Sequence, residues 1–241
     1  TFDFTWYRSN TKNQTFQIPI SPSSGYTSMF IQTGNVRNQG VEMALGTNNT
    51  WGNFSWNSNL TASFNSNKIT KLIEDGEFKD PQGNAINFEQ MSQDGIGSSE
   101  FILKKGGSMG DLYTKNQFDR DDFGNIKLTA EGSPQTKNEF VKEGSVLPKW
   151  NLGFRNDFRY KDITLGVMLS ARLGGIVLSP TEAILDGFGV SKRSAEARDK
   201  GGIPNGTSHI DPEKYYKTIG QTGGVLGEYV YSASNVRLQE L

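Results

Sequence analysis

In FSWNSNLTASF (54–64), Phe54, Trp56, Leu60, Ala62 and Phe64 share one parity, joined only by Ser58. The other parity holds Ser55, Asn57, Asn59, Thr61 and Ser63. Successive side chains of a strand point to opposite faces, so this spacing predicts a strand with one greasy and one polar face. The pattern recurs. TFDFTWYRSNTKNQTF (1–16) places Phe2, Phe4 and Trp6 on one face, and RNQGVEMALGT (37–47) does the same with Val41, Met43 and Leu45. WNLGFRNDFRY (150–160) sets Trp150, Leu152, Phe154, Phe158 and Tyr160 against Asn151, Arg155, Asp157 and Arg159. ITLGVMLSARLGG (163–175) sets Ile163, Leu165, Val167, Leu169, Ala171 and Leu173 against Thr164, Gly166, Met168, Ser170 and Arg172. YVYSASNVRLQEL (229–241) reads as a further strand that stops midway.

The connections alternate in length. Asn- and Gly-rich NNTWGN (48–53) and Tyr160-Lys161-Asp162 predict tight turns. Three other connections read as long polar loops: 20–36, 70–147, which has no sustained period, and 178–228, with a short helix over 191–200. Antiparallel strands with short turns at one end and long loops at the other fit a transmembrane β-barrel. Three charges on the polar face of 150–160 would be costly in a packed core but cheap in a wet lumen. That assigns Phe54, Trp56, Leu60, Trp150, Phe154, Tyr160, Leu165 and Leu169 to lipid or to an aromatic girdle, with Trp6 and Trp51 in the girdle as well. Asn57, Asn59, Thr61, Arg155, Asp157 and Arg159 then line the lumen and the substrate path. A soluble all-β carbohydrate-binding module, with the aromatics in its core, remains the alternative.

Composition narrows the classes. The 241 residues suffice for one β-domain or part of a larger one. A net charge of −1 gives no electrostatic case for nucleic acid, and the absence of cysteine removes thiol chemistry and disulfides. The mean hydropathy of −0.56 does not count against a barrel, whose two faces cancel. No apolar run is long enough for a membrane helix. The chain opens mid-strand with TFDFTWYR and is expected to be an internal piece of a longer polypeptide.

Catalytic chemistry is thin. His209 lies in NGTSHIDPEK, where Ser208 and Asp211 are too near in sequence for a triad, and no GxSxG elbow exists. DRDDFGN (119–125) offers Asp119, Asp121, Asp122 and Asn125, with Glu131 beyond, but at the wrong spacing for a calcium loop. Gly106-Gly107 and Gly174-Gly175 are too sparse to cradle phosphate. Asp119, Asp121, Asp122, Glu182 and Asp186 give no reason to pair any two as glycosidase carboxylates. The expectation is therefore no enzyme, no cofactor and no metal. Tyr26, Phe30, Phe88, Phe101, Tyr113, Phe188, Tyr215 and Tyr216 are loop aromatics suited to stacking on sugar rings.

Four stretches, in order, resemble one family. They are NVRNQGVEMALGT (Asn35, Gly40, Glu42), GNFSWNSNLTASFNSNKI (Trp56, Asn59, Phe64, Asn65, Asn67, Lys68, Ile69), LPKWNLGFRNDFRYKDITLGVML (Pro148, Gly153, Asn156, Tyr160, Asp162) and YVYSASNVRLQEL (Ala233, Val236, Arg237, Leu238, Glu240, Leu241). The set resembles the C-terminal barrel of SusC-type (RagA/SusC) TonB-dependent transporters of the Bacteroidetes outer membrane. That resemblance implies that residues 1–241 are part of one barrel domain, about six strands of a barrel of about 22, with short periplasmic turns and long extracellular loops. It implies a plug domain outside this chain, driven by TonB–ExbB–ExbD. It also implies a SusD-like surface lipoprotein seated on loops 70–147 and 178–228, and import of oligosaccharides or peptides. A β-structured glycosidase and a passive porin-like barrel stay open as rivals.

Overall fold

The computed structural model describes residues 1–19, 25, 28–72, 90–93 and 95–241. Its first strands are β1 (Phe2–Pro19), β2 (Ser28–Trp51) and β3 (Phe54–Lys71). Within the first long connection lie β4 (Gln90–Gln93), β5 (Ser99–Lys104), β6 (Asp111–Phe118) and β7 (Thr136–Ser145). Then come β8 (Trp150–Tyr160), β9 (Ile163–Leu173) and the short β10 (Ile176–Leu178). The second connection holds α1 (Pro180–Gly187), α2 (Lys192–Asp199), β11 (Ile203–Asn205), β12 (Ser208–Ile210) and α3 (Pro212–Ile219). A 3-10 turn (Leu226–Tyr229), β13 (Val230–Ser232) and β14 (Asn235–Glu240) close the chain.

Six strands form one antiparallel sheet in the order β1-β2-β3-β8-β9-β14. The alternation sorts its side chains. Phe2, Phe4, Trp6, Leu45, Leu60, Phe154, Leu165, Leu169, Val236 and Leu238 all stand exposed, and the register puts them on one face. A continuous apolar face across six strands is far larger than a water-soluble surface carries. Two aromatic rows bound it. Trp51, Phe54, Tyr160 and Ile163 are consecutive register partners at the short-turn end. Trp6, Val41, Phe64, Trp150 and Leu173 form the other row. At about 3.4 Å per residue and a tilt near 45°, the stretch from Phe54 to Phe64 spans about 24 Å, close to the apolar band of an outer-membrane barrel. All eight girdle and lipid-facing residues named from sequence lie on this face. Trp56 has a second task there: its Nε1 donates to Asn156 Oδ1 at 3.0 Å and satisfies a buried amide on the apolar side.

The structure corrects three loop expectations. Residues 28–36 belong to β2 and do not form a loop. The 70–147 region contains the four-stranded sheet β4-β5-β6-β7. The 178–228 region carries α1 and α3 beside the expected helix, α2. Short strands interrupted by bulges (Leu112/Tyr113, Thr114/Asn116) leave no steady period to read.

Two apolar cores hold these insertions. One joins Phe16, Val36, Ile69, Leu72, Met91 and Leu103, binding the loop sheet to the wall. The other joins Phe118 and Ile126 to Ala183, Ala197, Ile210, Tyr216, Ile219 and Tyr229, binding the two insertions to each other. Phe16 has the parity of exposed Phe2 and Phe4 but is buried. Asn13 and Gly34 face each other across β1 and β2, both with positive φ, and past them the alternation changes phase. A Cβ on Gly34 would lie 3.0 Å from the Phe16 ring and 3.2 Å from two backbone oxygens, so both φ and space demand glycine.

The face assignment predicts unequal tolerance of charge at neighbouring positions. Leu60→Arg is expected to cost about 2–4 kcal/mol at the apolar band, while Thr61→Arg is expected to cost little. The amount of folded, heat-modifiable barrel recovered from membranes measures the difference.

Candidate functional site

The polar face of the wall is the candidate site. Asn57, Asn59, Thr61, Arg155 and Asp157, together with Gly153 and Met168, line a hollow of about 300 Å³. Strand register makes the grouping: Asn57 faces Asp157, Asn59 faces Arg155 and Thr61 faces Gly153. Gly153 keeps the floor open, since a Cβ there would lie 2.7 Å from Thr61 Oγ1. Arg159, the sixth residue expected in the lumen, is not in the hollow; its Nε donates to Lys161 O at the tight turn, 3.0 Å away. A wider hollow of about 450 Å³ adjoins, sharing Thr61, Gly153 and Met168 and adding Asp3, Glu42, Asn151 and Ser170.

Arg155 is already engaged. Its Nε is 3.0 Å from Asp157 Oδ2 and its Nη1 is 3.0 Å from Glu240 Oε2, so two carboxylates on two strands hold one guanidinium. The Glu240 contact spans 85 residues of sequence, and only the completed β8-β9-β14 order brings it about.

Higher on the same face runs a hydrogen-bonded amide chain. Tyr7 Oη donates to Asn65 Oδ1 (3.0 Å), and Asn65 and Asn67 both donate to Asn38 Oδ1 (3.3 and 2.9 Å). Asn67 Oδ1 accepts from Met109 N at 2.8 Å and Ser108 Oγ at 3.3 Å. Backbone bonds Ile69 N to Gly107 O and Gly106 N to Ile69 O, both 2.8 Å, complete a bolt between β3 and the β5–β6 hairpin. In the sequence Asn65 and Asn67 stand out only through the family resemblance, and nothing there marks their contact with Tyr7 and Asn38.

The second insertion is fixed by a buried ion pair. Asp186, fully buried, accepts from Ser191 Oγ and Arg193 Nε. The Arg193 guanidinium lies over the Tyr229 and Tyr216 rings at 4.7 and 5.8 Å. Burial pushes the Arg193 pKa down, but the hydrogen bond and charge of Asp186 outweigh this and hold it above the ordinary value. Burial raises Tyr229 and Tyr215. No periodicity marks this pair in the sequence.

Other sequence candidates resolve into structure. His209 is exposed on β12, Ser208 Oγ bonds Asn205 O, and Asp211 caps α3 through Lys214 N. Asp121 accepts from Phe123 N, Asn125 N and Asn125 Nδ2 at 2.8–3.0 Å, so its oxygens close a turn. Asp119 lies 3.3 Å from Lys127 and 3.2 Å from Lys137. Among the described residues no cluster of three metal-ligating groups exists. Of the loop aromatics, Tyr26 and Phe88 lie outside the described residues, Tyr113 and Tyr216 are buried, and Tyr215 stacks on Phe118 at 5.7 Å. Phe30 and Phe188 remain exposed.

Comparison with known proteins follows the same line. No protein-family model matches the chain. It is 25% identical over 258 aligned positions to TonB-dependent receptor P3 of Formosa agariphila, an alignment covering 99% of this chain and 24% of that receptor. Its structure resembles that of the RagAB peptide transporter (TM-score 0.66, 16% identity, 98% of this chain and 26% of that one). The RagAB peptide importer in its closed-closed state gives TM-score 0.68 at 15% identity, again over 98% of this chain and 26% of that one. The open-open state gives 0.62 at 15%, covering 98% and 25%. The chain spans about a quarter of the length of these relatives. The sequence resemblance to TonB-dependent transporters and the barrel-strand fold both stand, and the relatives are a receptor and a transporter rather than enzymes.

Two outcomes follow from the geometry. Ile69→Ala removes a fully buried contact between wall and loop sheet and is expected to cost about 2–5 kcal/mol. Limited proteolysis should then open residues 99–118 while the barrel stays heat-modifiable. Desolvation raises the Asp119 carboxyl, but Lys137 and Lys127 together outweigh it and hold the group below its ordinary value, while Asp121 is lowered chiefly by the Asn125 amide. A lowered carboxylate stabilises the fold above its unfolded value and loses that contribution as pH falls through the lowered value. Protection of the Phe123 and Asn125 amides, corrected for the intrinsic pH dependence of exchange, should therefore hold at pH 5 and fall only below the ordinary carboxylate range.

Proposed function

We propose that this chain is part of the barrel wall of a TonB-dependent importer in the bacterial outer membrane, and that the wall guides a nutrient oligomer, glycan or peptide, through its lumen. The observation that carries the reading is the two-sided wall: an apolar band about 24 Å tall on one face and hydrogen-bonding hollows on the other. Alignment along 99% of the chain with a TonB-dependent receptor supports it. A soluble module would leave Phe2, Phe4, Trp6, Leu165 and Val236 in water.

In this reading the tight turns at Gly52-Asn53 and Lys161-Asp162 face the periplasm and the two insertions face outward. Asn57, Asn59, Thr61, Arg155 and Asp157 contact the passing substrate through hydroxyl, amide and charged groups, and no covalent step occurs. The plug and its TonB–ExbB–ExbD drive lie outside the 241 residues. A SusD-like lipoprotein seats on the insertions, whose internal cores make them a firm platform rather than loose loops.

The test is uptake by cells carrying the full-length protein, with TonB present and deleted. Uptake is expected to vanish without TonB while the protein remains in the outer membrane. Uptake that persists would support a passive pore and overturn the proposal.

A further inference from the structure

Resting on that importer reading, we infer that the wall selects a dipolar oligopeptide with opposite charges about 14 Å apart, and that Glu42 and Arg172 are the residues that read them. The strand register aligns Glu42, Ser63, Asn151 and Arg172 in one row across β2, β3, β8 and β9. Glu42, Ser63 and Asn151 line the 450 Å³ hollow, and Arg172 is the direct cross-strand partner of Asn151, so all four share the inner face. Three strand spacings of about 4.8 Å separate the carboxylate from the guanidinium along the sheet. The adjacent row repeats the polarity, from Asp3 on β1 to Arg237 opposite Ser170 on β14.

These four charges differ from the other inner-face ions. Arg155 is held between Asp157 and Glu240, a triad with one net negative charge, and Arg159 donates to the Lys161 carbonyl at the tight turn. Asp3, Glu42, Arg172 and Arg237 make no side-chain ion pair among the described residues, and all four are exposed. The face is thus acidic at one flank and basic at the other. Between the flanks stand small hydroxyl and amide groups, which suit peptide N–H and C=O groups. An extended chain advances about 3.4 Å per residue, so about four residues span the distance between the charges. Neither hollow is lined by an aromatic ring. A neutral sugar would find no stacking surface there and would leave both charges unanswered. A polyanionic glycan would be repelled at the Glu42 flank.

The test uses the full-length transporter in detergent, titrated calorimetrically with tetra- to hexapeptides of Ala, Ser and Gly. The same peptides with acetylated and amidated ends are the comparison. Free-ended peptides are expected to bind at least tenfold more tightly, with the advantage shrinking as salt rises. Glu42→Gln should erase the benefit of a free amino end and Arg172→Gln that of a free carboxyl end. Equal affinity for free and blocked peptides in the unaltered protein would overturn the inference, whatever the variants do. TonB-dependent uptake of an oligosaccharide with no peptide binding would also overturn it while leaving the importer standing. Loss of all TonB-dependent uptake would instead remove the importer reading beneath it.

Discussion

Backbone pairing in hydrocarbon is the constraint on which the rest depends. Lipid offers no hydrogen bonds, so each strand must find both neighbours, and only antiparallel ladders joined edge to edge achieve this. Within the sheet β2, β3, β8 and β9 each have both neighbours, while β1 and β14 stand at its two ends. Once pairing is fixed, parity decides everything else. From Phe54 to Phe64 and along β8, even positions take the apolar face and odd positions the polar face, so side chains can change on one parity without disturbing the other. Ser58 and its register partner Asn156 are polar positions on the apolar side, and the Asn156 amide oxygen is satisfied there by Trp56 Nε1.

Parity is also why so much of the wall was legible. The bounds 150–160 and 163–173, the turn between them and the face of every girdle residue follow from period-2 spacing alone. Five of six lumen candidates share a hollow because partners directly opposite in register lie side by side. Arg159 escaped because a turn carbonyl claims its guanidinium, and a turn's hydrogen bonds do not show in alternation.

The insertions were opaque for a related reason. Their strands are short and bulged, and their helices run eight residues each, too few turns to establish a period. Their stability comes from contacts between distant segments, such as Phe118 with Tyr215 and Ser98 with Gly224. The Asp186–Arg193 pair sits seven residues apart in a polar run, where nothing distinguishes a buried carboxylate from a solvated one. The Glu240 partner of Arg155 was hidden by sequence distance, not by chemistry.

The facing pair Asn13 and Gly34 resets that parity partway along one ribbon. Below it, Phe2 and Phe4 are written for lipid; above it, Phe16 on the same parity is written for a protein core. The ribbon therefore reads one spelling rule in two media, with a punctuation mark between them. Inserting or deleting a single residue below the mark would turn the lipid-facing row toward water. The same slip at the mark meets residues already outside the regular ladder, so this is where a lineage can lengthen or shorten the outward ribbon while keeping its membrane band in frame.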